Sequence, residues 1–136
     1  MNYVKHFSDL EVYKQARSLS KDIFLLTRMF PSEEKYSLTD QIRRPSRSIG
    51  AQIAEAWGKR RYELHFISKL SDAHAEQLET LHWLEISEEC GYLSTVDKNM
   101  LLTTCHSIGR MLHNMMEKSS LFCKPQKKPK DTNTSS

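Results

Sequence analysis

Glu79-Thr-Leu-His82 is a pair whose residue types and spacing match a known metal-binding device. Four-helix di-iron proteins carry such a Glu-x-x-His pair on each of two helices, and two further inward carboxylates complete the site. This chain has no second pair, so Glu79 and His82 read as a solvated helical face. His74 falls on an apolar seam and reads as a hydrogen-bonded core histidine. His106 and His113 are seven apart and share a helix face, but no Cys or acid stands at ligand spacing beside them. Cys90, Cys105 and Cys123 are odd in number and widely spaced, which fits buried, reduced thiols rather than a disulfide framework. A glycine-rich phosphate loop, a nucleophile elbow and zinc-finger spacing are all missing from the sequence. The expectation is a protein that is not an enzyme and needs no cofactor or metal.

The cations are different in kind. Arg43, Arg44 and Arg47 fall within about one and a half turns of a single helix, and Lys59, Arg60 and Arg61 follow at its end. These six are the candidate nucleic-acid-binding residues, because clustered guanidinium and ammonium groups neutralise phosphates. Tyr36 and Tyr62, near the two ends of that helix, are candidate stacking partners for bases. The competing reading is a solvated face, its charge absorbed by acids of the following helix such as Glu76, Glu79 and Glu85.

The segment that must position the cluster is Ser37 to Arg61. Leu38, Ile42, Ile49, Ile53 and Trp57 recur at helical spacing, with Pro45 in the slot between Ile42 and Ile49, so the arginines are offset from the core-facing stripe. Ser37 with Asp40 predicts a capping box, and Gly58 a left-handed stop. An interior proline removes a backbone hydrogen bond and crowds the preceding turn, which predicts a kink near 41–45 or a helix that restarts at Pro45.

Three further helices are legible. Ser8 or Asp9 caps a first one, with Val12, Ala16, Leu19, Ile23, Leu26 and Phe30 as an unbroken seam ended by Pro31. Tyr62 to Cys90 holds no Gly or Pro, and Ile67, Leu70, His74, Gln77, Leu81 and Leu84 mark its seam. Phe66, Ala73, Leu78, Trp83 and Ile86 lie off that seam and widen the apolar arc beyond one bundle face. Gly91 ends this helix. Ser94 with Asp97 caps a fourth, whose inward stripe is Leu101, Thr104, Ile108, Met111 or Leu112, and Met115, with Met100 and Met116 as further soft apolar surface. The expected helices are 9–29, 37–57, 62–90 and 95–118. Joined by short links, they predict an all-α, up-down-up-down antiparallel four-helix bundle. The surplus apolar faces of the third and fourth helices predict a homo-oligomer.

Composition agrees. Four Gly and four Pro in 136 residues argue against an all-β chain. The formal charge of +3 resides wholly in Lys124, Lys127, Lys128 and Lys130 against Asp131, so residues 1–120 are neutral and their basicity is local. The domain expectation is a bundle over 1–120 and a disordered Lys-rich tail over 121–136. No apolar run is long enough to span a bilayer and the first residues lack a secretory apolar core, so the expected location is the cytoplasm and no membrane partner is expected.

In order and spacing, LEVYKQA, FPSEEKYSL, TDQIRRPSRSIGAQIAEAWGKR and FISKLSDAHAEQLETLHWLEISEECGYL resemble the bacterial four-helix bundle proteins encoded within intervening sequences of 23S rRNA genes. Gln41-Ile42-Arg43-Arg44, Ser48-Ile49 and Ile53-Ala54-Glu55 best mark the likeness. The resemblance implies a ring-like homopentamer with no catalytic residues and a role in binding nucleic acid, RNA or DNA. It also brings in a related branch that serves as accessory protein to the reverse transcriptase of diversity-generating retroelements, which offers a protein partner and a scaffold role as the alternative function. Pro45, Gln52 and Ala56 depart from the family, which usually has alanine, asparagine and glycine there.

Overall fold

The computed structural model describes residues 4–123, all of whose long elements are helices: α1 (Glu11–Thr27), α2 (Asp40–Gly58), α3 (Glu63–Glu89) and α4 (Thr95–Glu117). The expectation for the lysine tail beyond Cys123 lies outside the described residues. Side chains that meet across each hairpin run in opposite order along the two helices. Thr27 and Phe24 meet Arg43 and Arg47; Arg44 meets Glu79 while Lys69 meets Gln52; Lys98 meets Glu88 while Ser119 meets Glu63. Every hairpin is therefore antiparallel, and α1 packs on α4 to close an up-down-up-down bundle whose broadest interface is α2 on α3.

The core follows from apolar residues at helical spacing, which lose water contact only if their faces turn inward. Val12, Ala16, Leu19 and Ile23 of α1 meet Leu38, Ile42, Ile49 and Ile53 of the second segment, all buried. The fourth helix buries Leu101, Cys105, Ile108, Leu112 and Met115, so Cys105 takes the place expected for Thr104. In α3 the buried line is Phe66, Leu70, Ala73, Gln77, Thr80, Leu84 and Ser87, rotated from the expected seam. Thr80 and Ser87 tolerate that burial because their hydroxyls donate to the carbonyls of Glu76 and Trp83 one turn back, at 2.8 and 2.7 Å. Ile67, His74 and Leu81 are consequently half-buried flank residues, and His74 is not a core histidine.

The helix ends divide. Gly91 has φ of 78° and terminates α3 as expected, and the Asp97 N–H donates to Ser94 Oγ at 3.0 Å to start α4. Gly58 is instead an ordinary last helical residue; the chain leaves through Lys59, whose N–H donates to Ala56 O at 2.9 Å. α1 starts after a short 3₁₀ turn, Phe7–Asp9, rather than from a cap by Ser8 or Asp9. The Ser37–Asp40 capping box does not form, because the chain enters α2 through a π-helical turn, Lys35–Thr39, already wound when it reaches Asp40. Ser37 Oγ donates to Glu34 at 2.7 Å instead. α2 does not restart at Pro45: it stays helical across this buried proline, and the π-helical turn Lys35–Thr39 lies before α2 begins. Past α4, Phe122 stacks on Phe66 with centroids 6.0 Å apart, so the packed bundle runs beyond residue 120.

Candidate nucleic-acid interface

Arg43, Arg44 and Arg47 sit on the outward side of α2 at its first turns, but they do three different jobs. Arg43 is half-buried. Its Nε donates to Thr27 Oγ1 at 2.8 Å and its terminal nitrogen to Phe24 O at 3.5 Å, at the C-terminal end of α1. That end carries the negative pole of the helix dipole, so a guanidinium fork there adds a second donor to a carbonyl that already accepts from Thr27 Oγ1 at 3.2 Å, and gains electrostatically. Arg44 turns toward α3 and reaches Glu79 at 3.4 Å, with two thirds of its side chain in solvent (66%); such an exposed pair contributes at most about 1 kcal/mol. Arg47 is exposed, and among the described residues its guanidinium has no acid within ion-pair distance.

Across the interface stands Phe24 of α1, 37% exposed. The guanidinium carbons of Arg43, Arg47 and Arg28 lie over its ring at 4.8, 5.6 and 5.9 Å from the centroid. Three cations around one partly exposed ring form a compact electropositive hub. Two shallow grooves of about 520 Å³ each meet at Arg47: one is lined by Asp40, Arg43, Arg44, Ser48 and Ala51, the other by Arg17, Ser18, Ser20, Lys21 and Phe24. Arg17, Lys21 and Arg28 are therefore members of the surface that reading α2 alone missed. Their signal was present: Arg17, Lys21, Phe24 and Arg28 recur at helical spacing on the side of α1 away from its core seam.

The second half of the cluster is elsewhere. Lys59, Arg60 and Arg61 occupy the α2–α3 turn, and twelve residues of helix between Arg47 and Lys59 span about 18 Å. Arg60 is committed to structure, its Nε donating to Trp57 O at 2.9 Å and its guanidinium carbon lying 3.5 Å from the Trp57 ring centroid. Lys59 and Arg61 are exposed, Arg61 beside Tyr62 at 6.0 Å. Tyr36 lies beside Lys35 at 5.3 Å. The six cations thus form two patches, not one.

The acids expected to absorb this charge are mostly engaged elsewhere. Glu79 takes Arg44 and also accepts from Trp83 Nε1 at 3.2 Å. Glu85 and Glu88 hold Lys98 at 3.2 and 2.8 Å, while Glu55 and Asp72 flank Lys69. Among the described residues Glu76 makes no ion pair, and its Oε2 is enclosed without a hydrogen-bond partner. Of the six candidate cations, Arg44 alone is ion-paired among the described residues.

The remaining chemical candidates disperse. Among the described residues no three His, Cys, Asp or Glu side chains gather at metal-binding distance. His74, His106 and His113 line a groove of about 770 Å³ between α3 and α4 with Gln77, Leu78, Leu81 and Met111. His113 Nε2 lies 3.1 Å from Glu117. Gln77 Nε2 donates to Cys105 O at 3.0 Å, and the buried Cys105 thiol donates to Gln77 O at 3.6 Å. Burial pushes that thiol up to about 12, leaving it protonated and unreactive. Cys90 is exposed rather than buried, Cys123 is half-buried, and all three thiols are free.

An antiparallel four-helix bundle with a cationic, aromatic-centred face is the class of protein these features define. The chain belongs to the 23S rRNA-intervening sequence protein family, whose model matches residues 8–114. It is similar to a crystal structure of a protein of unknown function from the S23 ribosomal protein family of Bacteroides thetaiotaomicron. The identity is 27%, the TM-score 0.71, and the match covers 78% of this chain and 98% of that one. No curated protein matches. Among the described residues no helix is long and apolar enough to cross a membrane.

Proposed function

We propose that this chain is a non-catalytic, cytoplasmic bundle protein that assembles with copies of itself and binds nucleic acid, RNA in particular, through the basic face shared by α1 and α2. The observation that carries the reading is the gathering of Arg28, Arg43 and Arg47 over Phe24, with Lys21 and the Tyr13-bound Arg17 along the adjoining groove and Arg44 at the rim, where helix-3 acids absorb only Arg44. Unpaired cations on a rigid surface keep their counterions until a polyanion displaces them, and that release drives association. The family description names a sequence that interrupts ribosomal RNA and the related structure is called ribosomal; both names favour RNA. Lys59 and Arg61 form a separate, secondary contact. Fluorescence anisotropy with a labelled structured RNA, titrated with salt, tests the reading. Affinity should fall steeply and linearly on logarithmic axes; no binding even at low salt refutes it.

The second reading is a protein-protein scaffold or accessory subunit, for example of a retroelement reverse transcriptase. The α3–α4 groove favours it, with Leu78 exposed at its wall and Met100 exposed on the same hairpin. The same groove supports self-association, with the pentamer implied by the family resemblance as the assembly of choice. Light scattering giving the mass of one chain at micromolar concentration excludes the oligomer.

A further inference from the structure

We infer that Phe24 and its arginines form a stacking platform for an unpaired base, so that the preferred ligand is a single-stranded stretch of polynucleotide rather than a duplex. The inference rests on the nucleic-acid reading above and narrows it to a strand form and to one residue. Phe24 is not tucked into the core: it sits 37% exposed between two cationic grooves. Its three guanidiniums are not equivalent. Arg43 is tethered to α1 by Thr27 and Phe24 O, so it stays as a fixed backing to the ring. Arg28 and Arg47 touch the ring, and among the described residues neither guanidinium is hydrogen-bonded or ion-paired. They are free to exchange the ring for a phosphate as a base arrives, and Arg17 and Lys21 extend the track of positive charge one to two turns along α1.

That arrangement supplies what single-strand binding requires: a cationic groove for the backbone and a π-face for a base, with guanidinium planes adding stacking surface of their own. A duplex keeps its bases stacked on one another and can use only the charge. The ring contributes nothing to pure phosphate binding, so its replacement separates the two modes.

The experiment compares the full chain with its Phe24→Leu and Phe24→Trp variants, on a labelled unstructured oligonucleotide and on a duplex of the same length. RNA and DNA versions of both distinguish the sugar. Phe24→Leu keeps apolar bulk and removes the π-face. It should weaken single-strand binding about tenfold, the scale of one base stack, while duplex affinity and the salt slopes stay as in the parent, and Phe24→Trp should restore or tighten it. A 2-aminopurine in the strand should be quenched on binding the parent and not on binding Phe24→Leu, a signature that a merely structural role for the ring does not produce. If the parent binds both nucleic acids and Phe24→Leu changes neither affinity nor quenching, the platform is refuted while the electrostatic reading stands. If Phe24→Leu weakens duplex and single strand alike, the ring acts by holding the arginines, and the platform is again refuted. A parent that binds no polynucleotide at low salt overturns both readings.

Discussion

Arg43 and Arg47 lie one turn apart and look equivalent in sequence, yet the structure assigns them opposite energetic roles. Arg43→Gln removes the Nε bond to Thr27 at 2.8 Å, the longer reach to Phe24 O at 3.5 Å and the nearest cation over the Phe24 ring. One hydrogen bond from a charged donor contributes about 1.5–3 kcal/mol, and a cation over an exposed ring about 0.5–1 kcal/mol. Partial solvent exposure of the site and the reach of the glutamine amide toward Thr27 bring the expected loss down to about 1–2 kcal/mol. Arg47→Gln gives up only its place over the ring at 5.6 Å and should stay within about 0.5 kcal/mol of the parent. Urea unfolding followed by circular dichroism, at fixed protein concentration because assembly contributes, reads the difference as a shift in midpoint at constant slope. If Arg43→Gln unfolds with the parent, or the two variants are equally destabilised, the assignment of Arg43 as the tie between α1 and α2 is wrong.

Other consequences are as direct. Gly91→Ala places a Cβ at φ of 78°, where L-residues are strained, and should cost about 1–2 kcal/mol in the same assay, whereas Gly58→Ala, at a right-handed helical position, should be neutral or stabilising. Lys98 holds the Glu88 carboxyl below its ordinary value of 4.5. That depressed pKa gives stability present above about pH 4.5 and lost as pH falls through the folded value, and Lys98→Met should flatten the acid limb of a pH–stability curve. The same pair, with Glu85, raises the Lys98 ammonium above 10.5, so its contribution persists below that pH and disappears under stronger alkali. In a thiol-reactivity assay on the native protein Cys90 should react promptly and Cys105 only with unfolding, since burial holds the Cys105 thiol near 12; prompt labelling of Cys105 would contradict the core assignment.

The α2 core stripe was legible because Ile42, Ile49 and Ile53 recur at helical spacing among its buried positions, and Val12, Leu19 and Ile23 do the same in α1. The α3 line was legible only in part: Leu70, Gln77 and Leu84 stood in the expected seam, but Thr80 and Ser87, whose hydroxyls donate to carbonyls one turn back, did not. Heptad spacing therefore selected Ile67, His74 and Leu81 in place of Phe66, Ala73 and Thr80. Gly91 and Gly58 look alike as helix stops, yet Gly58 precedes a turn in which Lys59 and Tyr62 continue local backbone bonding, so no left-handed residue is required. Half of the candidate surface could be read from Arg43, Arg44 and Arg47. The other half came from Arg17, Lys21, Phe24 and Arg28, and only the antiparallel register of α1 on α2 brings them alongside. Its division from Lys59, Arg60 and Arg61 follows from helix length.

The salt dependence of RNA binding by a variant carrying Arg17→Gln, Lys21→Gln and Arg47→Gln tests the central claim most directly, because these substitutions spare the structural Arg43 and leave the Phe24 ring in place. If the α1–α2 face is the binding surface, affinity should fall and the magnitude of the log–log salt slope should drop by about 2–3, close to one for each phosphate that is no longer neutralised. Helicity and oligomer mass should match the parent. A variant that binds RNA with the parent's affinity and slope would contradict the claim and leave the face as a solvated side of a scaffold protein.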